Sequence, residues 1–392
     1  MQLNFDINFV IGDKEDFLQI EELKPLKIFS EQAYEFLNAL SKILIKEPSA
    51  KQFSDVITFA FWCRKASIKQ MSLNYNNDSR FGRGISFHIS PSNVAVNFAY
   101  SFVVGLLAGN INIVRLPSKN FLQVDIICNA IKKTLLEECS ELKPYIYMIR
   151  YGHEREITDI LSNLCDVRVI WGGDDTIRNI RKSPLKIRAN EITFSDRYSI
   201  AIIHSEKYLN AENKQRIAID FYNDTYLNDQ NACTAPKLII WLDNHCDDAR
   251  EIFWQHLQEI VDDKYDLKPI QAVDKLVKIF LLATTTNVTL MKHKNNRLIC
   301  TEVFDLHSLK DFEGNSGFFI EYKAKTLNEI LPICSERCQT LSYYGIDYTE
   351  LKDFIMSNRP KGIDRIVPLG KTLNFSLIWD GYDLIYSMSR KI

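Results

Sequence analysis

The sequence of 392 residues is notable first for what it lacks. It has no CxxC pair and no HExxH, and its seven histidines (88, 153, 204, 245, 256, 293 and 307) include no i, i+4 pair. No metal site is therefore expected, since zinc sets need such spacings. Glycine (14) and proline (11) are sparse and show no repeat, which excludes collagenous and low-complexity chains. The charge balance of −2 gives no sign of a nucleic-acid or acidic-lipid partner. No apolar run reaches the roughly 20 residues of a spanning helix. The longest, 94–109, has sixteen residues and contains Asn97 and Ser101, so it reads as a buried helix. The first residues lack a basic segment and a long apolar core, so no signal peptide is expected. Nine cysteines, an odd number without framework spacing, read as reduced thiols of a cytoplasmic protein with no membrane span.

What is present is ordinary globular material: 46 % hydrophobic and 25 % charged residues, in a chain long enough for two or three domains. After a short strand near 3–10 the first eighty residues read as helical. Ser30 caps a helix with Ala33, Phe36, Leu37, Leu40, Ile43 and Leu44 on one face. From Gly84 the pattern changes to strands at 85–89, 111–115, 145–149, 167–171 and 199–204. Helices separate the first four, and another starts near Asp174. Apolar strands alternating with helices predict an α/β fold with a doubly wound parallel sheet, which binds ligands at the carboxyl ends of its strands. A second block begins near Tyr208, with a polar loop at 228–234 and a strand at 237–242. The expected division is 1–206, 207–350 and 351–392, the last segment packing back on the cofactor or oligomer side.

Four places could carry chemistry. Cys233 lies among small and polar residues just before an apolar strand. That suits an accessible nucleophilic thiol, although a cysteine beside a strand is more often a buried one. Asn93 follows Ser90-Pro91-Ser92 between strand and helix, where it serves either as an N-cap or as an amide donor to an oxyanion. Arg115 and Ser118, at the end of the next strand, would face the crevice of the sheet. Arginine suits a phosphate, but arginine is also usually a solvated surface residue. Trp171-Gly172-Gly173-Asp174-Asp175 is a glycine turn that could admit a pyrophosphate if the two acids point away, yet no GxGxxG accompanies it.

Taken together, in order, these pieces resemble the aldehyde dehydrogenase superfamily. They are Pro91-x-Asn93, Ala108-Gly109-Asn110 with Arg115-x-Pro117-Ser118, Gly172-Gly173, Gln230-x-x-Cys233 and Glu302-Val303-Phe304. The C-terminal runs Gly362-Ile363-Asp364-Arg365-Ile366-Val367-Pro368-Leu369-Gly370 and Trp379-Asp380-Gly381-Tyr382-Asp383 are similar to those of its LuxC-like acyl-CoA reductase branch. The resemblance spans roughly 80–392. It implies an aldehyde-dehydrogenase-like fold, a Rossmann-like parallel-sheet cofactor domain plus an α/β catalytic domain. Cys233 would be the nucleophile. Asn93 and the Cys233 backbone N–H would hold the oxyanion. Arg115, Pro117 and Ser118 would lie at the adenosine side of NADPH, Gly172 and Gly173 under its pyrophosphate, and Glu302 at the nicotinamide ribose.

Two departures shape the expected reaction. Where aldehyde-oxidising relatives carry a hydrolytic glutamate, this chain has Phe194, with Glu191 three residues earlier. Without a base to activate water, an acyl-enzyme would await a hydride or a thiol. The resemblance thus implies NADPH-dependent reduction of an acyl thioester, on CoA or on a carrier protein, to the aldehyde. Two alternatives remain: an NAD(P)-dependent aldehyde dehydrogenase with Glu191 as base, and a non-catalytic partner of an acyl-protein synthetase. A homo-oligomer is expected. The chain also looks shorter at its N-terminus than is usual in the superfamily, which bears on oligomer contacts there.

Overall fold

The computed structural model describes residues 7–75, 78–152, 154–291, 294–309 and 314–392. Of the expectations above, residues 3–6 of the first strand, His153 and His293 lie outside the described residues. The chain forms two compact units, Met1–Ser195 with Ser376–Ile392, and Asp196–Phe375.

In the first unit the strands are β1 (Asn8–Ile11), β2 (Arg80–Gly82), β3 (Ile85–Ile89), β4 (Ile111–Arg115), β5 (Ile146–Arg150), β6 (Val167–Trp171) and β7 (Asn190–Phe194). Six of them form one sheet in the order β1-β5-β4-β3-β6-β7. β3 to β7 run parallel, and β1 lies antiparallel on the edge beside β5. Chain order runs outward from β3 through β4 and β5, then returns to β6 and β7 on the other side. That reversal opens a crevice beyond the carboxyl ends of β3 and β6, the usual ligand position in such sheets. One face buries Phe87, Ile89, Ile113 and Ile149 against Ile157, Leu161 and Ile177 of the following helices. The other face meets the helix Asn97–Leu107, nine of whose eleven residues are buried. This is the longest apolar run, and it is shorter than the span its composition predicts. It packs close because Gly105 has no side chain: a Cβ there would meet the Asn112 carboxamide and the His88 ring. Gly109, at φ 86°, ends the helix in the left-handed region, which favours glycine.

The second unit contains β8 (Tyr198–His204), β9 (Pro236–Leu242), β10 (Val288–Leu290), β11 (Ile299–Val303), β12 (Phe318–Ala324), β13 (Cys338–Tyr344) and β14 (Arg365–Pro368). They form a sheet in the order β10-β11-β12-β9-β8-β13-β14, parallel except for β10. Ala201, Ile203, Ile239 and Trp241 pack one face against helices Lys214–Thr225 and Cys246–Lys264. Ile200, Ile202, Leu238 and Ile240 pack the other with Ile279, Leu282, Leu351 and Phe354.

β15 (Ile378–Trp379), β16 (Tyr382–Asp383) and β17 (Ser389–Lys391) complete the first unit, and β17 pairs antiparallel with β2. The Trp379-Asp380-Gly381-Tyr382 run is a two-residue hairpin with positive φ at both Asp380 (49°) and Gly381 (75°). Asp-Gly is a favoured pair for that turn.

The α/β class expected from the sequence is the observed one. The division differs: it falls between Ser195 and Asp196 rather than near 206, and 351–375 stays with the second unit. An apolar strand such as β8 fits the middle of either parallel sheet, so its composition does not assign it. Its partners do, and one of them, β13, is more than 130 residues away.

Candidate active site

Every nucleotide-side residue expected in the first unit lies at the carboxyl edge of its sheet. Asn93 is four residues past the end of β3 and exposed. The capping reading fails: the following helix starts at Asn97 with Val96 as its N-cap and no side-chain cap bond. The Asn93 carboxamide is thus left at the surface of the crevice loop. The Ser92 and Ser118 hydroxyls hydrogen-bond at 2.8 Å and tie the loops that leave β3 and β4.

Arg115 closes β4. Its guanidinium donates to the Gly152 carbonyl at 2.5 Å and lies 4.2 Å from the Tyr151 ring centroid, a cation–π stack that fixes its plane. Pro117 is buried, and its carbonyl accepts from Arg150 at 2.7 Å. Ser118 is exposed beside it. Gly172 and Gly173 follow β6. The Gly172 N–H donates to the Phe194 carbonyl at 3.2 Å, and a Cβ on Gly172 would touch Thr176. Asp175 in the next turn is paired with Arg178 at 2.5 Å and is turned to solvent.

At the end of β7, Phe194 is buried and stacked on Trp171, with ring centroids 3.6 Å apart and planes 16° apart. Glu191, the other candidate for a base, is clamped. One carboxylate oxygen accepts two bonds from Arg168, at 2.9 and 2.5 Å, and the other accepts from Arg181 at 2.7 Å. Arg168 is itself 2 % exposed. Both Glu191 oxygens are therefore already occupied by guanidinium donors.

In the second unit, Cys233 sits in the turn between Asn228 and β9. Of the nine cysteines it alone is not buried. Burial pushes the other eight thiols up, Cys139 to about 11 and Cys128, Cys165 and Cys334 to about 12. A nucleophile must be reached and deprotonated, so the burial pattern singles out Cys233.

The loop is built around Gln230, which is fully buried with φ 58°. Its side-chain amide donates to the Pro236 carbonyl at 2.9 Å and the Phe318 carbonyl at 3.1 Å, and accepts from the Gly317 N–H at 3.2 Å. Lys237 donates to the carbonyls of Gln230 and Gly314. The Ser199 hydroxyl donates to the Cys233 carbonyl at 2.6 Å and accepts from the Thr340 N–H at 3.2 Å. Cys233 thus projects from backbone pinned on both sides. The Gln230-x-x-Cys233 motif marks Gln230 but not this anchoring role, and Ser199 carries no signal, because their partners include Phe318 of β12 and Thr340 of β13.

Glu302 lies on β11 and is 13 % exposed on its side chain. Its carboxylate accepts from Arg250 at 3.1 Å and from Lys323 at 3.2 Å. Arg250 also binds Glu321, a buried carboxylate that accepts from the Trp241 and Trp254 indoles at 2.6 and 2.7 Å. The segment packed against the Cys233 loop is 314–317, which leads into β12. Among the described residues no group of three or more histidines, cysteines or acids could hold a metal ion. No described helix is long and apolar enough to cross a membrane.

A family model described as acyl-CoA reductase (LuxC) matches residues 13–301. The match reaches further toward the N-terminus than the motifs do, and it stops before Glu302 and the C-terminal runs. No curated protein matches the chain. Among solved structures, NADP-dependent glyceraldehyde-3-phosphate dehydrogenase from Bacillus halodurans, complexed with NADP, is 15 % identical with a TM-score of 0.64, over 96 % of this chain and 88 % of that one. NAD-dependent benzaldehyde dehydrogenase from Corynebacterium glutamicum is 12 % identical with a TM-score of 0.62, over 96 % and 88 %. A variant of proline utilization A from Bradyrhizobium japonicum is 12 % identical with a TM-score of 0.63. It covers 92 % of this chain, which spans only 41 % of that larger protein. These likenesses show an aldehyde-dehydrogenase fold. On the strength of the match over 13–301, the chain belongs to the acyl-CoA reductase (LuxC) family.

Proposed function

We propose that the protein reduces an acyl thioester to an aldehyde with NADPH, through an acyl-enzyme on Cys233. The observation that carries this reading is the half-exposed Cys233 on its pinned loop, in a chain whose other thiols are buried. The Cys233 thiolate attacks the thioester carbonyl, a new C–S bond forms, and the tetrahedral oxyanion collapses with loss of the donor thiolate. The exposed Asn93 carboxamide and the Cys233 backbone N–H are assigned to the oxyanion. Losing one such donor typically costs about 100-fold or more in turnover.

The residues fit a dinucleotide: a switch-point crevice, the Gly172-Gly173 turn, the Arg115 guanidinium held flat on Tyr151, and the Ser118 hydroxyl beside it. Bound there, NADPH supplies the hydride that reduces the acyl carbon. Collapse of the resulting thiohemiacetal releases the aldehyde and returns the Cys233 thiolate. Glu302 enters this reading as a carboxylate already held by Arg250 and Lys323, with acceptor capacity left for a ribose hydroxyl. The acyl donor is an acyl-CoA or an acyl-carrier protein, with an acyl-protein synthetase as a candidate supplier. The thiol chemistry fits a reducing cytoplasm.

Glu191, on which an aldehyde-oxidising reading depends, is already bound by Arg168 and Arg181, and this supports reduction. The test is absorbance at 340 nm with NADPH and a panel of acyl-CoAs. A fall with at least one acyl-CoA is expected. No fall with any of them, together with a rise from aldehyde and NADP, would refute the reading.

A further inference from the structure

The helix Pro269–Thr285 belongs to the second unit and is apolar on two opposite faces. One face is anchored: Lys275, Ile279 and Leu282 are buried, and the Lys275 ammonium donates to the carbonyls of Asn296 and Ser316. The opposite face carries Ile270, Val273, Leu276, Val277, Phe280 and Leu281, each 50–63 % exposed. A surface helix normally turns polar groups outward, and one that is apolar all round is ordinarily covered on all sides.

Two features specify what covers it. The first is spacing. Positions 270, 273, 277, 280 and 284 alternate by three and four residues, the seam of a helix that packs along another helix. The second is area. Six large side chains at this exposure present on the order of 700 Å² of apolar surface, above the roughly 300–600 Å² of the largest patch on a typical monomer. It is also close to the about 800 Å² per partner of a standard stable interface. Lys278 lies off this stripe, and Asp274, seven residues before Leu281, flanks it as an exposed charge at the rim.

We propose that this face is an isologous interface: the helix Pro269–Thr285 packs antiparallel on the same helix of a second copy, across a two-fold axis near Val277. A two-fold interface needs only one self-complementary patch, and a seam of this spacing centred on Val277 meets that need. The interface is independent of the proposed reaction, because none of its residues is assigned to substrate or cofactor.

Sedimentation equilibrium of the full chain tests it, with Val273→Lys and Phe280→Lys as separate variants. Both positions are exposed in the single chain, and circular dichroism checks that the variants fold. The wild type should sediment as a dimer or an even multiple, and each variant at half that mass, with association weakened at least tenfold. Val277→Cys should give a covalent dimer on mild oxidation, and the unsubstituted chain should not. A wild type that stays monomeric at about 100 μM, or an assembly that keeps its mass in both lysine variants, would overturn the proposal. So would a Val277→Cys chain that forms no cross-link, since that places some other partner on the face. Loss of the dimer leaves the 340 nm assay as a separate readout, so failure here and failure of the proposed reaction are distinguishable.

Discussion

Single residues decide between the reactions this fold could perform. The Glu191 clamp separates structure from catalysis at that position. Glu191→Gln leaves the nearly fully buried Arg168 without its charge partner, a loss that typically costs about 3–5 kcal/mol. Urea melts should show that destabilisation. The lifetime of an acyl-enzyme in buffer should not change, and a lifetime lengthened tenfold or more would restore Glu191 as a base. Arg115 makes a second residue-scale prediction. Its guanidinium is oriented by Tyr151 and the Gly152 carbonyl, which suits a 2′-phosphate. NADPH should therefore be preferred over NADH, and Arg115→Ala should narrow the preference about tenfold, read as the ratio of kcat/KM values. Equal kcat/KM for both cofactors in the unsubstituted enzyme contradicts this. Legibility at this scale was uneven. Cys233 and the crevice residues could be proposed from the sequence because each sits in a short local motif. The clamp on Glu191 was not, because Arg168 is 23 residues away and only the pairing of β6 with β7 brings it alongside. The capping role offered to Asn93 was lost to a helix that starts four residues later.

Elements show where the fold is sensitive to acid. On the face of β3 toward the helix Asn97–Leu107, the His88 ring bonds the Ser101 hydroxyl at 2.7 Å and the Ser86 hydroxyl at 2.9 Å. Ser86 in turn bonds Asn112, and Ser101 accepts from Trp171. Burial holds the His88 ring down at about 3, so it stays neutral in the fold. The unfolded chain takes up a proton below about 6.5. Stability from this site is therefore full above that pH and falls as the pH drops toward 3, by up to about 1.4 kcal/mol per pH unit. Asp224 in the second unit works the other way. Burial raises it to about 6 against the Gly370 and Thr372 N–H bonds, so its contribution is lost as pH rises between about 3.8 and 6. Comparing His88→Gln with the unsubstituted chain isolates the histidine. The variant should be less stable at pH 7, yet lose less stability between pH 6.5 and 5. Parallel stability curves would show that His88 does not titrate on unfolding. The strand-and-helix alternation of this region was legible because its periods switch cleanly. The placement of β8 was not, because an all-apolar strand fits either sheet and its neighbours are remote in sequence.

At the scale of the whole molecule, the first parallel-sheet unit carries a switch-point crevice, and the second carries Cys233, which alone among the nine cysteines is not buried. Hydrolysis of an acyl-enzyme needs a base to activate water; Phe194 at the end of β7 has no such group, and both Glu191 oxygens are already bound by guanidiniums. A positioned base typically contributes about 100- to 10,000-fold to such a step. The account therefore turns on how an acyl-enzyme decays. Intact-mass spectrometry after mixing the protein with an acyl-CoA measures this directly. The predicted result is a single acyl adduct, absent in Cys233→Ala, that persists in buffer and disappears on adding NADPH with release of aldehyde. An adduct on another cysteine, or one that hydrolyses rapidly without NADPH, would contradict the account.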